Sequence, residues 1–398
     1  MRRPRKAGGL RPAVIFRDDA GDQEEAMLKP YEGLFVLDAA QGIAGPYCGM
    51  LLAQCGADVV KLEPPKGDWS RGLSTRAESH SVMHTAFNRG KRAIVLDLAD
   101  EGDRAKSARL AAKADVLIEA FRPGVARRIG LGPESAKADA VCISVSGFGQ
   151  QGPHSERPCT DSVAQAYCGV VAINPGMDGL PHRVGTQIVD VFTGLSAFAA
   201  CQAALAEQAR DRASGAPPRR RHLDISLMQG AASMLVLPIA ESGLLGRMPD
   251  EVNTPAGAYP AKDGVSVMFA LVREQEWVTL CDVIGRPDLP QDPRFSDFPT
   301  RFANKPALVA ILREVFLTKT SSEWLGLMQA ARLLCDRVNT PLEYLAEPHV
   351  QAIRAAPLLD QPGLGPLPFP AIPGLGAWEP PAPALGQDTA AILAEFGV

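Results

Sequence analysis

Apolar runs alternate with helical patterns between residues 34 and 145, which predicts a repeating strand–helix unit. Short apolar runs indicate strands in "LFVLD", "ADVVKLE", "RAIVLDL", "DVLIEAF" and "AVCISVS". Helical periodicity separates them in "GPYCGMLLAQCG", with Pro46 in its first turn and Gly56 at its end, and in "EGDRAKSARLAAKA". Apolar strands separated by helices are typical of parallel pairing. We therefore predict a layered α/β domain with right-handed crossover connections.

The pattern becomes mainly helical after Asp161. Helices are predicted in "DSVAQAYCGVVA" and from about Ile188 to Ala209, and a strand followed by a long helix in "RRRHLDISLMQGAASMLVLPIAESGLLG". A strand in "GVSVMFALV" precedes helices in "EQEWVTLCDVIG", "KPALVAILREVF" and "SSEWLGLMQAARLL". The proline- and glycine-rich region from Pro341 to Pro383 predicts extended chain across a surface, before a last helix in "DTAAILAEFG".

Composition is that of a soluble globular protein. The 398 residues are 46% hydrophobic and 22% charged, and this length is enough for two domains. The net charge of -4 gives no reason to expect nucleic acid or an anionic membrane as partner. No apolar run approaches the roughly 20 residues of a membrane span. We expect neither a nucleic-acid nor a membrane partner.

The first residues predict a cytoplasmic protein with a disordered extension. The basic start "MRRPRKAGGLRP" lacks the apolar core of a signal peptide, and the acidic "DDAGDQEE" that follows argues against a transit peptide. Patterned sequence begins just after Met27, so residues 1–30 are expected to be a disordered N-terminal extension. The alternative is that an upstream start codon was chosen in error and that translation begins at Met27.

The cysteines and histidines predict no metal site. The eight cysteines include no C-x-x-C pair and are expected to be free thiols in a reducing compartment. His80 and His84 are spaced i, i+4, but no further ligand lies nearby in the sequence, which favours a structural pair.

The stretch "CISVSGFGQQGP" has the G-x-G-x-x-G spacing of a dinucleotide-binding turn at Gly147, Gly149 and Gly152. That turn requires a helix directly after its glycines, but Pro153 and Pro158 follow within one and six residues of Gly152. The acidic residue expected about 20 residues later is also missing. The glycines therefore predict a loop at the carboxyl end of a strand, where α/β proteins place their chemistry.

Several segments in their order along the chain resemble the family III coenzyme A transferases, of which the α-methylacyl-CoA racemases are a branch. The resemblance runs from about Leu34 to the end of the chain. The matching segments are "LDAAQGIAGPYCGMLLAQCGADVVKLEPPKGD", "FNRGKRAIVLDL", "ADVLIEAFRPGVARRIGLG", "ISVSGFGQQGP", "DGLPHRVGTQIVDVFTG", "HLDISLMQGAASML" and "ALGQDTAAILAEFG".

The resemblance implies a Rossmann-like large domain built from both ends of the chain and a smaller α+β domain between them. It places the large CoA-binding domain at residues 31–222 and 340–398 and the small domain at residues 223–339. Two chains of this family interlock, so an interlocked homodimer is expected.

The resemblance also implies that coenzyme A is a substrate and that no prosthetic group is needed. The CoA contacts that it implies are Ile43, Ala44, Leu96, Phe121 and Arg128. A turn before a helix N-terminus, such as "AAQGIAGP", suits an anion, whereas Leu96 and Phe121 also suit a plain core.

Two departures from the family concern the phosphates of CoA. Family members can have a lysine where Ala99 stands and another where Ser146 stands. Lys91, Arg92 and Arg122 are the cations that could compensate for these lysines.

A carboxylate nucleophile is the chemistry that the resemblance implies. It attacks the thioester and forms an anhydride, the CoA thiolate returns to form an enzyme-bound thioester, and the acceptor acid reverses the sequence. The segment "GMDGLPHRVG" assigns this nucleophile to Asp178. The alternative for Asp178 is an ordinary Asp-Gly turn.

Two other functions stay open. The racemase branch uses a histidine and an aspartate as paired acid and base; its aspartate matches Asp190, but its histidine matches Thr160, which cannot exchange protons near neutral pH. A catalytically silent CoA-binding relative is the second alternative. The sequence does not name the acids, although Arg157 and Arg183 could hold the second carboxylate of a dicarboxylic acid if they are not simply surface residues.

Overall fold

The computed structural model describes residues 28–77, 80–175, 180–250, 253–374 and 380–398. Within them the chain forms two compact units, one of residues 28–236 and 351–398 and the other of residues 237–350. The first unit therefore takes both ends of the chain.

Strands and helices alternate along most of the first unit. The strands are β1 Phe35–Asp38, β2 Asp58–Glu63, β3 Arg76–Ala77, β4 His80–Ser81, β5 Arg92–Val95, β6 Val116–Glu119, β7 Val141–Ser146 and β8 Arg221–Ser226. The helices are α1 Ala44–Gln54, α2 Val82–Asn88, α3 Glu101–Ala111, α4 Val125–Arg128, α5 Asp161–Cys168, α6 Ile188–Ser214 and α7 Leu227–Met234.

Six of these strands form a parallel sheet in the order β5-β2-β1-β6-β7-β8. The inner strands β1 and β6 are buried along their whole length, because helices cover both faces of a parallel sheet. One core lies around Val36 and Val116 and the other around Leu37 and Leu117, since successive side chains of a strand point to opposite faces. The predicted parallel α/β sheet is confirmed.

The domain boundary expected between residues 222 and 223 falls inside β8. This strand pairs with β7 over its whole length, from Val141–Arg221 to Ser146–Ser226, and is the last strand of the large sheet. A boundary inside β8 would break its backbone hydrogen bonds with β7. The chain therefore leaves the first unit only after α7, at Val236, and returns at Gln351 instead of residue 340.

The second unit contains a three-stranded antiparallel sheet in the order β11-β10-β9. It begins in α8 Val236–Leu245 and comprises β9 Gly257–Pro260, β10 Ser266–Ala270, α9 Glu274–Val283, α10 Phe298–Ala303, α11 Lys305–Phe316, α12 Ser321–Ala330, β11 Leu334–Arg337, α13 Pro341–Ala346 and most of α14 Pro348–Ala352. Its core is aromatic, with Phe269 stacked at 5.7 Å from Phe316 and Trp324 at 5.1 Å from Phe316.

Two predictions of secondary structure were wrong. The region from Pro341 to Pro383 is not simply extended: it holds α13, α14 and the hairpin of β12 Leu358–Leu359 and β13 Leu367–Pro368, before α15 Thr389–Phe396. Helix α13 forms because the Thr340 side chain accepts the Glu343 N–H and Pro341 occupies the first turn. The long helix predicted after β8 is divided into α7 and α8 at Leu235.

Helix α6 is a core helix of the first unit. Its 27 residues are long and apolar enough by length and composition to cross a membrane. In the fold, however, α6 packs along α1 and α7, and its buried residues include Val189, Ala197 and Cys201. Its first turn lies at the edge of the sheet where the candidate site is found.

Candidate active site

The turn between β1 and α1 is held by a buried aspartate. The Asp68 carboxylate accepts the Gly42 N–H at 3.1 and 3.0 Å and the Ser70 N–H at 2.8 Å. Lys61 Nζ pairs with Asp68 Oδ2 at 2.9 Å, and both side chains are fully buried. Gly42 has φ +85°, and the Trp69 ring lies where its Cβ would be, so only glycine fits this turn. Lys61 and Asp68 thus determine the path of the chain into α1.

A second buried ion pair, between Lys91 and Asp38, holds the same turn. Lys91 Nζ contacts Asp38 Oδ2 at 2.7 Å and donates to the Pro46 carbonyl at 2.7 Å. Burial lowers the pKa of Lys91 to about 8, although Asp38 opposes this. Burial also disfavours charge on Lys61, but Asp38, Asp68 and Glu63 outweigh it and raise its pKa. Lys91 is therefore occupied inside the protein and does not compensate for a missing phosphate-binding lysine.

The first backbone N–H groups of α1 have no intrahelical partner. Its N-cap residue, Ile43, has no side chain that caps the helix, and the first turn carries no acidic residue. Ile43 and Ala44 are 3% and 6% exposed. Their side chains are buried, so any contact that they make with CoA is through the backbone N–H groups of a helix N-terminus.

An apolar pocket of about 240 Å³ lies at the carboxyl ends of β1, β2, β5 and β6. It is lined by Ala39, Gln41, Leu62, Pro64, Asp97, Leu98, Ala99, Phe121, Val125 and Ile129. Phe121 thus lines the pocket, whereas Leu96 is 2% exposed and belongs to the core. Arg128 is exposed at the end of α4, next to the lining residue Ile129.

Sequence reasoning missed a cation at the rim of this pocket. The Arg104 guanidinium, on α3, donates to the carbonyl oxygens of Ala99 at 2.8 Å and Leu98 at 3.2 Å. Arg92 instead pairs with Asp58 at 2.5 Å and with Glu395 at 2.6 Å. The position of Arg104, in the first turns of the helix that follows Ala99, was the signal in the sequence that could have indicated this cation.

The glycine-rich segment after β7 is a loop, as its prolines predict. No helix begins between Gly147 and Thr160, and Gly149 and Gly152 have φ of 91° and 101°. A Cβ on Gly147 would lie 2.3 Å from Cys159 Cβ, so the absence of a side chain lets this loop pack on the segment that precedes α5. The glycines serve this packing instead of a pyrophosphate.

Asp161 and Asp190 meet where α5 and α6 begin. The fully hydrogen-bonded Asp161 carboxylate accepts the backbone N–H groups of Val189 at 2.8 Å and Asp190 at 3.1 Å, and Gln165 Nε2 donates to its other oxygen at 2.5 Å. Burial, and then the charge of Asp161, raise the pKa of Asp190 to about 7. Asp190 is thus a carboxyl group poised to change its charge near neutral pH.

Asp190 lies one helical turn before the contact of α6 with the first turn of α1. Gly194 follows it by one helical turn on the same face of α6. A Cβ on Gly194 would come within 2.8 Å of the Ala44 carbonyl and 3.0 Å of Tyr47 Cβ. The face of α6 that carries Asp190 therefore packs, one helical turn further along, against the first turn of α1, where the resemblance expects CoA.

The other residues singled out in the sequence have different positions. Asp178 lies outside the described residues; Pro175 and Pro181 on either side of it pair as an antiparallel bridge. Thr160 is the exposed N-cap residue of α5. His80 lies in β4 and His84 in α2, where burial lowers the pKa of His84 to about 2. Within the described ranges, no three His, Cys, Asp or Glu side chains cluster as metal ligands.

Comparisons with known proteins agree with this architecture. The model of CoA-transferase family III matches residues 31–389. The chain is 36% identical to the acetyl-CoA:oxalate CoA-transferase of Acetobacter aceti over 76% of this chain and 79% of that protein. It is 30% identical to the succinyl-CoA–D-citramalate CoA-transferase of Chloroflexus aurantiacus over 92% of this chain and 94% of that one.

A solved structure shows the same fold. The crystal structure of a CAIB/BAIF family protein from Brucella suis superposes with a TM-score of 0.79 at 29% identity, covering 93% of this chain and all of that one. Family model, relatives and fold agree with the resemblance in the sequence. The chain belongs to CoA-transferase family III and is a CoA-transferase.

Proposed function

We propose that this enzyme moves CoA from an acyl-CoA to a free carboxylic acid through a covalent intermediate on an aspartate. The observation that carries the proposal is the match of CoA-transferase family III to residues 31–389, which include Asp178, where the resemblance places the nucleophile. A carboxylate can attack a thioester and form an anhydride, which the CoA thiolate can attack in turn.

The reaction balances without any external oxidant or reductant. The aspartate oxygen attacks the thioester carbonyl carbon and the C–S bond breaks. The CoA thiolate departs, and the acyl group and the aspartate form a mixed anhydride. The thiolate then attacks the aspartyl carbonyl and releases the donor acid, which leaves an aspartyl-CoA thioester. The acceptor carboxylate attacks this thioester to form a second anhydride. The thiolate returns to the acceptor acyl carbon and the free aspartate is regenerated.

Two aspartates compete for this role. The sequence resemblance assigns the nucleophile to Asp178, which lies outside the described residues. Asp190 is the second candidate, because it combines a raised pKa with a position one helical turn from the contact of Gly194 with Ala44. We therefore propose Asp178 as the nucleophile and keep Asp190 as the alternative that the experiment below distinguishes.

The CoA molecule fits the remaining features of this sheet edge. The apolar pocket that Phe121 lines suits the adenine, and the α1 N-terminus suits an oxygen of the pyrophosphate or the thioester. Arg104 and the exposed Arg122 and Arg128 supply positive charge around the pocket. No prosthetic group has a role in these steps, since CoA enters and leaves as substrate.

The alternatives lack one component each. Racemase chemistry needs a second base opposite Asp190, and the matching position holds Thr160, whose hydroxyl does not titrate near neutral pH. A silent CoA-binding relative would not need a carboxyl group with a pKa near 7.

Assembly and location are also proposals. We propose an interlocked homodimer in the cytoplasm, with no nucleic-acid or membrane partner. Helix α8 supports the dimer, because it has no buried residue in the single chain and exposes Leu237, Ile239 and Leu244 by 57%, 47% and 86%. Such a row of apolar side chains suits burial against another copy. A stable, active monomer in light scattering at micromolar concentration would contradict it.

Trapping with hydroxylamine tests the covalent step. The full-length protein is incubated with acyl-CoA and hydroxylamine, digested, and analysed by peptide mass spectrometry. The proposal expects a hydroxamate on Asp178, and Asp178→Ala should lose several orders of magnitude in turnover while it still binds CoA. Asp190→Ala is the matched variant. A label on Asp190 would move the nucleophile there; no label and normal transfer by both variants would overturn the covalent mechanism.

A further inference from the structure

The segment at the start of α15 forms hydrogen bonds to the free side of β5, which is an edge strand of the large sheet. An edge strand leaves alternate backbone groups without a partner in the sheet. The Ala93 N–H donates to Asp388 Oδ2 at 2.8 Å, and the Asp388 N–H donates to the Ala93 carbonyl at 3.0 Å. The Val95 N–H donates to Thr389 Oγ1 at 3.1 Å. These three hydrogen bonds take the place of a neighbouring strand.

These contacts lie directly before the turn that lines one part of the apolar pocket. Val95 is the last residue of β5, and the lining residues Asp97, Leu98 and Ala99 follow it closely. Gly386 lets the two segments approach each other: its φ is +65°, and a Cβ there would lie 2.9 Å from Val95 Cγ2. The turn after β5 is therefore held from outside the sheet by residues near the end of the chain.

The same segment also contacts the loop after β2, which lines another part of the pocket. Pro64 is the lining residue of that loop and follows Glu63, whose two carboxylate oxygens each accept an N–H of Arg71 at 2.7 Å. Arg71 also donates to the Pro383 carbonyl at 3.2 Å. Residues 383–389, here named the connector, thus join the loop after β2 to the turn after β5 without lining the pocket.

We propose that Asp388 and Thr389 of the connector are positioning residues for CoA binding, because they hold the turn after β5 in place beside the loop after β2. Both act through the backbone of β5 and line no part of the pocket. The inference rests on the proposed placement of CoA in this pocket and goes beyond it, since Asp388 lies 295 positions from Ala93 in the chain. Its test needs CoA but no turnover, so the outcome is independent of the covalent step.

Thr389→Val tests this assignment, because valine keeps the branched shape of threonine but cannot accept the Val95 N–H. When the full-length protein is titrated with CoA by calorimetry, the Kd of this variant should rise about fivefold, the effect of one lost hydrogen bond. Thr389→Ser keeps the hydroxyl and should bind CoA as the wild-type protein does. Asp388→Ala removes the acceptor of the Ala93 N–H and should weaken binding to a similar degree. Hydrogen exchange, read by peptide mass spectrometry, should be faster in residues 93–99 of both weakened variants.

Ile392→Val is the matched control on α15. It shortens a buried side chain and lowers stability but leaves the hydrogen bonds to β5 in place, so the Kd for CoA should stay within about twofold of wild type. An unchanged Kd in Thr389→Val, or an equal loss in Ile392→Val, would overturn the inference and leave the proposed placement of CoA intact. CoA should also slow exchange in residues 93–99 of the wild-type protein. Calorimetric binding without that protection would contradict the placement of CoA and this inference together.

Discussion

The Asp161 carboxylate accepts the backbone N–H of Asp190 at 3.1 Å, and its negative charge lies beside a second, half-buried carboxyl group. The same oxygen also accepts the N–H of Val189, so Asp161 completes the first turn of α6 while it opposes ionisation of Asp190. Asp161 is therefore both a structural cap and an electrostatic control on Asp190, the second candidate for the nucleophile.

This relationship predicts an acidic limb in the pH profile. Because the pKa of Asp190 is raised from 3.8 to about 7, a transfer reaction that needs ionised Asp190 should lose about tenfold in kcat/KM per pH unit below pH 7 and level off above it. Asp161→Asn removes one of the two causes, so the limb should move to lower pH but stay above the ordinary value, since burial remains. A limb near pH 4 in the wild-type enzyme would contradict the assignment.

The buried pair of Lys61 and Asp68 should control both stability and CoA affinity. Asp68→Asn leaves the Lys61 ammonium without its fully charged partner inside the protein, which should cost about 3–5 kcal/mol in urea unfolding. It also weakens the hold on the Gly42 N–H, so the Kd for CoA, measured by calorimetry, should rise at least tenfold. Lys61→Met with Asp68→Asn should regain stability, and we expect affinity to stay low. Full recovery of affinity in the double variant would show that Asp68 does not position the turn.

Arg104 should contribute to CoA binding in place of the lysine that is absent at Ala99. Arg104→Gln removes the cation at the pocket rim, so CoA should bind about tenfold more weakly, with a smaller dependence on salt concentration. Arg109→Gln, an exposed change on the same helix, is the matched control and should bind CoA normally. Equal affinity and salt dependence in both variants would remove Arg104 from the site.

We expect no racemase activity, because Thr160 stands where the racemase branch has its histidine. Incubation with a 2-methylacyl-CoA in deuterated water should show no exchange of the α-hydrogen by mass spectrometry, because one carboxyl group alone cannot serve as paired acid and base. Asp190→Asn supplies the background rate. Rapid exchange in the wild-type protein would restore the racemase alternative and would make His154 or His182 the candidate second base.

The sequence by itself determined the type and succession of elements in the sheet and the family. Runs such as "FVLD" and "VLIE" are apolar at three of four positions because both faces of a parallel sheet are covered, so their signal is local and strong. The prolines after Gly152 likewise excluded a dinucleotide turn, since their effect on the backbone does not depend on distant residues.

Only the tertiary structure decided which polar groups meet. Asp161 and Asp190 are 29 residues apart, Lys61 contacts Asp68 only because β2 continues into a turn beneath Gly42, and Gly194 touches Ala44 across two helices. The pKa of a carboxyl group depends on burial and neighbouring charges, and neither is a property of its segment. For that reason the sequence could not show that the fold brings Asp190 into a half-buried position beside another acid.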